Sequence, residues 1–144
     1  LMPQETDRLA RRVAEHLLAT EGTGGAWGIS IEEARVGYTR LRMVVRPDMT
    51  HGYGTAHGGM IFALADTAFA YVCNSRNNAT VAASASIIFL APAQIDEELV
   101  AEAREEALSG RSGAYTVSVK TADGKVVANF QGQSRTIGGA VIED

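Results

Sequence analysis

Apolar residues recur at Leu9, Val13 and Leu17, with Ala10, Ala14 and Leu18 beside them, and charged residues fill many of the positions between. That four-residue spacing predicts an amphipathic helix ending near Gly22. The "GTGG" that follows reads as a flexible connector. Residues 1–24 are therefore expected to be a helix and linker, and residues 25–144 a single domain. From Trp27 the texture changes. "WGISIEEARVGYTRLRMVV" predicts two strands around a turn at Val36-Gly37, the second alternating through Leu41, Met43 and Val45. In "RPDMTHGYGTA", Pro47 and the glycines break any regular element.

An almost unbroken apolar run follows, and it predicts a helix from about His57 to Asn74. "NNATVAASASIIFLAPA" reads as a strand of small and branched residues stopped by Pro92, and "EELVAEAREEAL" as a further strand. "SGRSG" is a turn. The last long segment, "AYTVSVKTADGKVVANFQGQSRTI", predicts two strands joined at Asp123-Gly124, the strongest hairpin signal in the chain. A helix apolar on nearly all sides must be wrapped on most of them. One curved antiparallel sheet rolled around a long central helix does this. The expected class is therefore α+β, with the layout of the hotdog fold.

Within "GTAHGGMIFALADTAFAYV" one residue breaks the apolar run of the helix: Asp66. A buried, unpaired carboxylate is costly, so it finds a partner or shifts its pKa. Gly58 and Gly59 stand where the helix should begin. The first amides of a helix lack internal partners, and the macrodipole adds partial positive charge there. Glycine also lets a ligand approach the backbone closely. The helix start can thus polarise a carbonyl, while Asp66 supplies a nucleophile or general base. The competing readings are that the glycines merely allow a tight turn, and that Asp66 is ion-paired or hydrogen-bonded in the core. Eight residues separate Gly58 from Asp66, about 12 Å along a helix axis. One carbonyl cannot touch both in one chain, so shared chemistry predicts an isologous dimer with two composite sites.

Composition narrows the field. The chain has 144 residues, 46% hydrophobic and 21% charged, which fits one folded domain with a sizeable core. A net charge of −4 argues against a nucleic-acid surface. A single cysteine, Cys73, forbids an intrachain disulfide and fits a reducing cytoplasm. "LMPQETDRLARRVAEHLLA" lacks the apolar core of a signal peptide, and Leu1, ahead of Met2, reads as a vector remnant. The run after Gly59 is too short to span a bilayer, so no membrane partner is expected.

Other candidates carry less. His57 and Asp66 are nine residues apart, on opposite faces of a helix, and no zinc signature or cysteine cluster is present, so no metal is expected. His16 reads as a solvated position and Cys73 as an inert buried thiol. "GYGTAH" lacks the third glycine of a dinucleotide fingerprint. Thr67 and Asn74, near the helix end, are candidates for holding water or a ligand, with helix packing as the alternative. Among Arg76, Arg111 and Arg135, Arg111 in its turn is the first candidate for contacting a phosphate-bearing small molecule.

"HGGMIFALADTAFAYVCNSR" strongly resembles the helix of the PaaI-type hotdog thioesterases, the phenylacetyl-CoA thioesterase group. "FLAPA", "SGRSGAYTVSV" and "GQSRTIGG" are similar to the corresponding family stretches, so the resemblance covers about residues 25–140. It implies that Asp66 is the catalytic carboxylate, that the Gly58 amide polarises the thioester carbonyl, and that His57 is the histidine before it. The family commonly has Asn six residues before that histidine. Here the position is His51, which can hydrogen-bond as Asn does but can also be charged.

The expected function is hydrolysis of acyl-CoA thioesters, aryl-acetyl or small aromatic, to free acid and CoA. CoA belongs to the substrate and no cofactor is required; Arg111 would then meet the phosphates of the CoA tail, and Thr67 and Asn74 the pantetheine arm. The expected assembly is a homodimer with composite sites, paired into a dimer of dimers. Two rivals remain at this point: a hotdog hydratase or dehydratase, in which His51 or His57 would act with an acid, and a non-catalytic acyl-CoA-binding protein.

Overall fold

The computed structural model describes residues 2–144; Leu1, read above as a vector remnant, lies outside them. Helix α1 runs Pro3–Thr20 and α2 Gly22–Trp27. Strands β1 (Ser30–Arg35) and β2 (Tyr38–Val44) form the first hairpin, and a short 3₁₀ turn, Pro47–Met49, leads towards helix α3, Gly58–Cys73. Four strands follow: β3 Thr80–Phe89, β4 Glu98–Ser109, β5 Ser112–Thr121 and β6 Val126–Thr136.

The six strands make one antiparallel sheet in the order β1-β2-β4-β5-β6-β3. Helix α3 touches every strand. Its buried residues, Leu64, Ala65, Ala68, Phe69 and Val72 among them, meet Leu41, Met43, Leu99, Val117, Val119 and Phe130 from the sheet. Inward positions alternate strictly along β5, where Gly113, Tyr115, Val117, Val119 and Thr121 are buried, as a strand with one face in a core requires.

The "GTGG" segment corrects the expectation of a flexible connector. It forms the body of α2, which ends at Gly28 in the left-handed conformation (φ 67°), a conformation that glycine adopts without steric cost. Gly24 is buried there, with the Leu18 and Glu21 side chains filling the space where a Cβ would stand. Composition that reads as flexible thus forms a packed turn of helix. The first strand accordingly starts at Ser30 and not at Trp27. Helix α1 itself buries Leu9, Ala10, Val13 and Ala14, and Ala14 belongs to the same core as α3.

Strand β3 is an edge. It pairs with β6 alone, and its register shifts between Ala82 and Ser84. Val81, Ile88, Phe89 and the following Leu90 are exposed on or beside it. A ten-residue apolar edge is an open template for another strand.

Gly132 on β6 tests the core. A Cβ there would lie 2.8 Å from the Phe69 ring, which is 1% exposed and held between Tyr115 and Phe130 at centroid distances of 5.5 and 5.6 Å. Gly132→Ala is expected to lower stability by about 1–3 kcal/mol through overpacking. Denaturant unfolding measures this, and an unchanged midpoint would show that the ring moves freely.

Candidate active site

The start of α3 is fastened from several sides. His57 N–H donates to Met49 O at 2.7 Å and Ala56 N–H to Ala93 O at 2.8 Å. His57 has extended backbone angles (φ −61°, ψ 135°) and caps the helix: its Nδ1 accepts from Gly59 N–H at 2.8 Å. This bond requires an unprotonated Nδ1. Gly59 N–H is thus spent, whereas Gly58 N–H has no acceptor among the described residues. It is the amide left to meet a ligand.

A cavity of about 320 Å³ opens beside it, lined by His51, Thr55, Ala56, Gly58, Phe89 and Leu90 among others. Phe89 leans over Gly58 so closely that a Cβ on Gly58 would come within 3.1 Å of its ring. A side chain here would press on Phe89, another residue lining the cavity. His51 is locked: Nδ1 accepts from Tyr53 N–H at 3.0 Å, and Nε2 lies 2.9 Å from Thr55 Oγ1. Its ring centroid is 6.5 Å from that of His57.

Asp66 lies elsewhere. It is half-buried and has neither a hydrogen-bond partner nor a cation among the described residues, so the core ion-pair reading fails. Burial alone raises its pKa above the ordinary carboxylate value. Its cavity, about 310 Å³, is bounded by α3, the end of α1 and the start of β3 at Thr80, Val81 and Ala82. Cys73 shares it, and burial first, then the Asp66 charge, pushes the thiol up to about 12. That leaves the thiol protonated and inert. The structure therefore brings His51, His57, Gly58 and Gly59 together and holds Asp66 apart.

Thr67 lines neither cavity; its Oγ1 donates to Ala63 O at 2.7 Å. Asn74 borders the Asp66 cavity but is fully engaged. Its Nδ2 donates to Ala70 O at 2.8 Å and Thr80 O at 3.0 Å, and its Oδ1 accepts from Thr80 N–H at 2.9 Å. It ties the end of α3 to the start of β3. Arg111 is exposed in the β4–β5 turn without an ion pair among the described residues, as is Arg135 on β6, while Arg76 pairs with Glu105. His16 is exposed. No three metal-ligating side chains converge among the described residues. A larger cavity, about 460 Å³, lies over Ser84, Ser86, Gln131 and Gln133 on the outer face of the sheet and contains none of the candidate residues.

Glu21 and Tyr71 were not marked by the sequence. Tyr71, 1% exposed, donates its hydroxyl to Glu21, and both border the Asp66 cavity. No local pattern announces a pair fifty positions apart.

A family model described as "Thioesterase superfamily" matches residues 53–128. The chain belongs to the thioesterase superfamily. It is 36% identical over 128 residues to the acyl-coenzyme A thioesterase PaaI of Escherichia coli, spanning 89% of this chain and 91% of that protein. The solved structure of the E. coli PaaI protein from the phenylacetic acid degradation operon superposes with a TM-score of 0.92 at 35% identity, over 94% of this chain and 98% of that one. A mutant of the phenylacetic acid degradation protein PaaI from Thermus thermophilus matches with a TM-score of 0.78 and 34% identity, over 81% of this chain and 100% of that one. The hotdog layout expected from the helix and hairpin pattern is thus the fold of this thioesterase.

The raised pKa of Asp66 has two measurable consequences. If the carboxylate reacts, kcat/KM falls on the acid side at a pH above the ordinary carboxylate range of about 4. For stability, the folded pKa exceeds the unfolded one. The relative stability of the protonated form is therefore complete below the unfolded pKa and is lost as pH rises through the folded pKa. Asp66→Asn is expected to melt higher than the native protein at neutral pH, with the gap closing in acid. A lower melting temperature at neutral pH would mean that the charge has a partner.

Proposed function

We propose that this thioesterase hydrolyses acyl-CoA thioesters at a site shared by two subunits, with Asp66 from one and the Gly58 amide from the other. The observation that carries this reading is the separation of the two groups. Each opens to a cavity at a different end of the same edge strand, Asp66 beside Thr80–Ala82 and Gly58 beside Phe89. Antiparallel pairing of β3 with its copy would lay the Thr80 end of one strand against the Phe89 end of the other. Two identical sites would follow, each with one carboxylate and one free amide.

At such a site the thioester carbonyl oxygen accepts from Gly58 N–H, at the positive end of α3. Asp66 then either attacks the carbonyl carbon, giving an anhydride that water opens, or takes a proton from water as that water attacks. In both routes the C–S bond breaks and the CoA thiolate leaves, to be protonated. Burial raises the carboxyl pKa and so makes Asp66 a stronger base than an exposed carboxylate. His57 acts as a positioning residue: by engaging Gly59 N–H it leaves Gly58 N–H as the donor. The hydratase alternative would fall to Nε2 of His57, since both ring nitrogens of His51 and the Nδ1 of His57 are engaged, and release of CoA separates it from hydrolysis.

The likeness to PaaI proteins supports aryl-acetyl or other small aromatic acyl groups and a place in phenylacetate degradation. Arg111, exposed and without an ion pair among the described residues, is suited to the CoA phosphates. The reading includes a cytoplasmic enzyme, dimers that pair into a tetramer, and chemistry without a cofactor. No helix among the described residues is long and apolar enough to cross a membrane.

A panel of acyl-CoAs with a thiol reagent tests the reaction. The native protein should release free CoA, and Asp66→Asn should retain its fold with activity reduced at least about a hundredfold. Hydration without CoA release, binding without turnover, or a variant retaining more than about a tenth of native activity would overturn the reading.

A further inference from the structure

We infer that the end of the N-terminal helix sets the acyl-group limit of the site, with Leu17 as the specificity-determining residue and Tyr71 positioning it through Glu21. This deepens the function proposed above and rests on Asp66 being the reacting group.

Three elements enclose the Asp66 cavity. Helix α3 supplies Asp66 and Phe69, β3 supplies Val81, and the last turn of α1 with the junction to α2 supplies Leu17 and Glu21. The α3 residues are fixed by the sheet that surrounds them, since Phe69 and Tyr71 are each 1% exposed. The α1 wall is held differently. Leu17 is only partly buried against the core, and α1 packs chiefly on β1. What ties its end to α3 is the Tyr71 hydroxyl, donated to Glu21 Oε1. Glu21 N–H in turn donates to Leu17 O at 3.0 Å, so the strap fixes the backbone of the residue that faces the cavity. Gly24 completes the arrangement, because a Cβ there would lie 2.8 Å from Glu21 Oε1.

An acyl carbon held beside Asp66, by either route, would place its tail in this space, past Phe69 and Val81 towards Leu17. A Leu side chain at the end of such a space excludes tails that reach it, and one methylene at an apolar wall is worth about 10–200-fold in discrimination. Glu21, which has no cation partner among the described residues, would add a cost for any apolar tail that displaced the Tyr71 hydroxyl from it.

The test measures kcat/KM across straight-chain acyl-CoAs from acetyl to decanoyl and across benzoyl-, phenylacetyl- and phenylbutanoyl-CoA. Leu17→Ala should raise the ratio of the longest to the shortest accepted substrate by about tenfold, and Leu17→Trp should lower it by a similar factor. Tyr71→Phe, which keeps the ring and loses the strap, should flatten the length profile, with the change carried by KM for the longer substrates and not by kcat. A merely structural role would scale all substrates equally. Equal scaling in folded Leu17 variants, with Asp66→Asn still inactive, would overturn this inference and leave the proposed hydrolysis intact. An active Asp66→Asn would remove the reading beneath it.

Discussion

Asp66 makes neither an ion pair nor a hydrogen bond among the described residues, and the packing of α3 is what holds it in its cavity. A free carboxylate would leave such a place or take up a proton. This one is fixed by Ala65, Thr67 and Ala68 beside it, all buried against the sheet. The helix cannot turn its polar residue to solvent without withdrawing Leu64, Phe69 and Val72 from the core, each worth about 1.5–3 kcal/mol of burial. The fold thus supplies the energy that keeps one charge poorly solvated, and poor solvation is what makes a carboxyl group basic enough to act.

The other end of α3 follows the same logic with the opposite sign. Helix termini carry free amides in any protein, and most are capped or wet. Here the His57 ring covers one of them and glycine leaves the next open under Phe89. The acidic group and the free donor then lie on one rigid rod, too far apart for one carbonyl. On the function proposed above, the second half of each site comes from a partner subunit across the exposed edge of β3.

Much of this was legible in the sequence because it is written locally. The apolar run 57–74, the hairpin at Asp123-Gly124 and the alternation through Leu41 and Met43 of β2 each follow from a period or a turn residue, and the helix spacing alone separates Gly58 from Asp66. What was hidden depends on distant partners. "GTGG" reads as flexible until Leu18 and Glu21 are seen to fill the space above Gly24. Asn74 reads as a possible ligand until Thr80 is seen to use its amide. His57 reads as a candidate acid or base, and only the helix start shows its Nδ1 occupied by Gly59. The Tyr71–Glu21 contact has no local signature at all, since it joins two distant segments through side chains alone.

Subunit complementation tests the shared site most directly. Gly58→Pro removes the free amide at the first helix position, where proline costs no helix bond though its ring presses on Phe89, and Asp66→Asn removes the carboxylate. Each homodimer should be inactive. In a heterodimer one site carries both defects and the other neither, so mixing under subunit exchange should restore activity, up to about half of native per heterodimer. If heterodimers of folded subunits form and release no CoA, Asp66 and Gly58 do not meet across the interface, and the account of the site is contradicted.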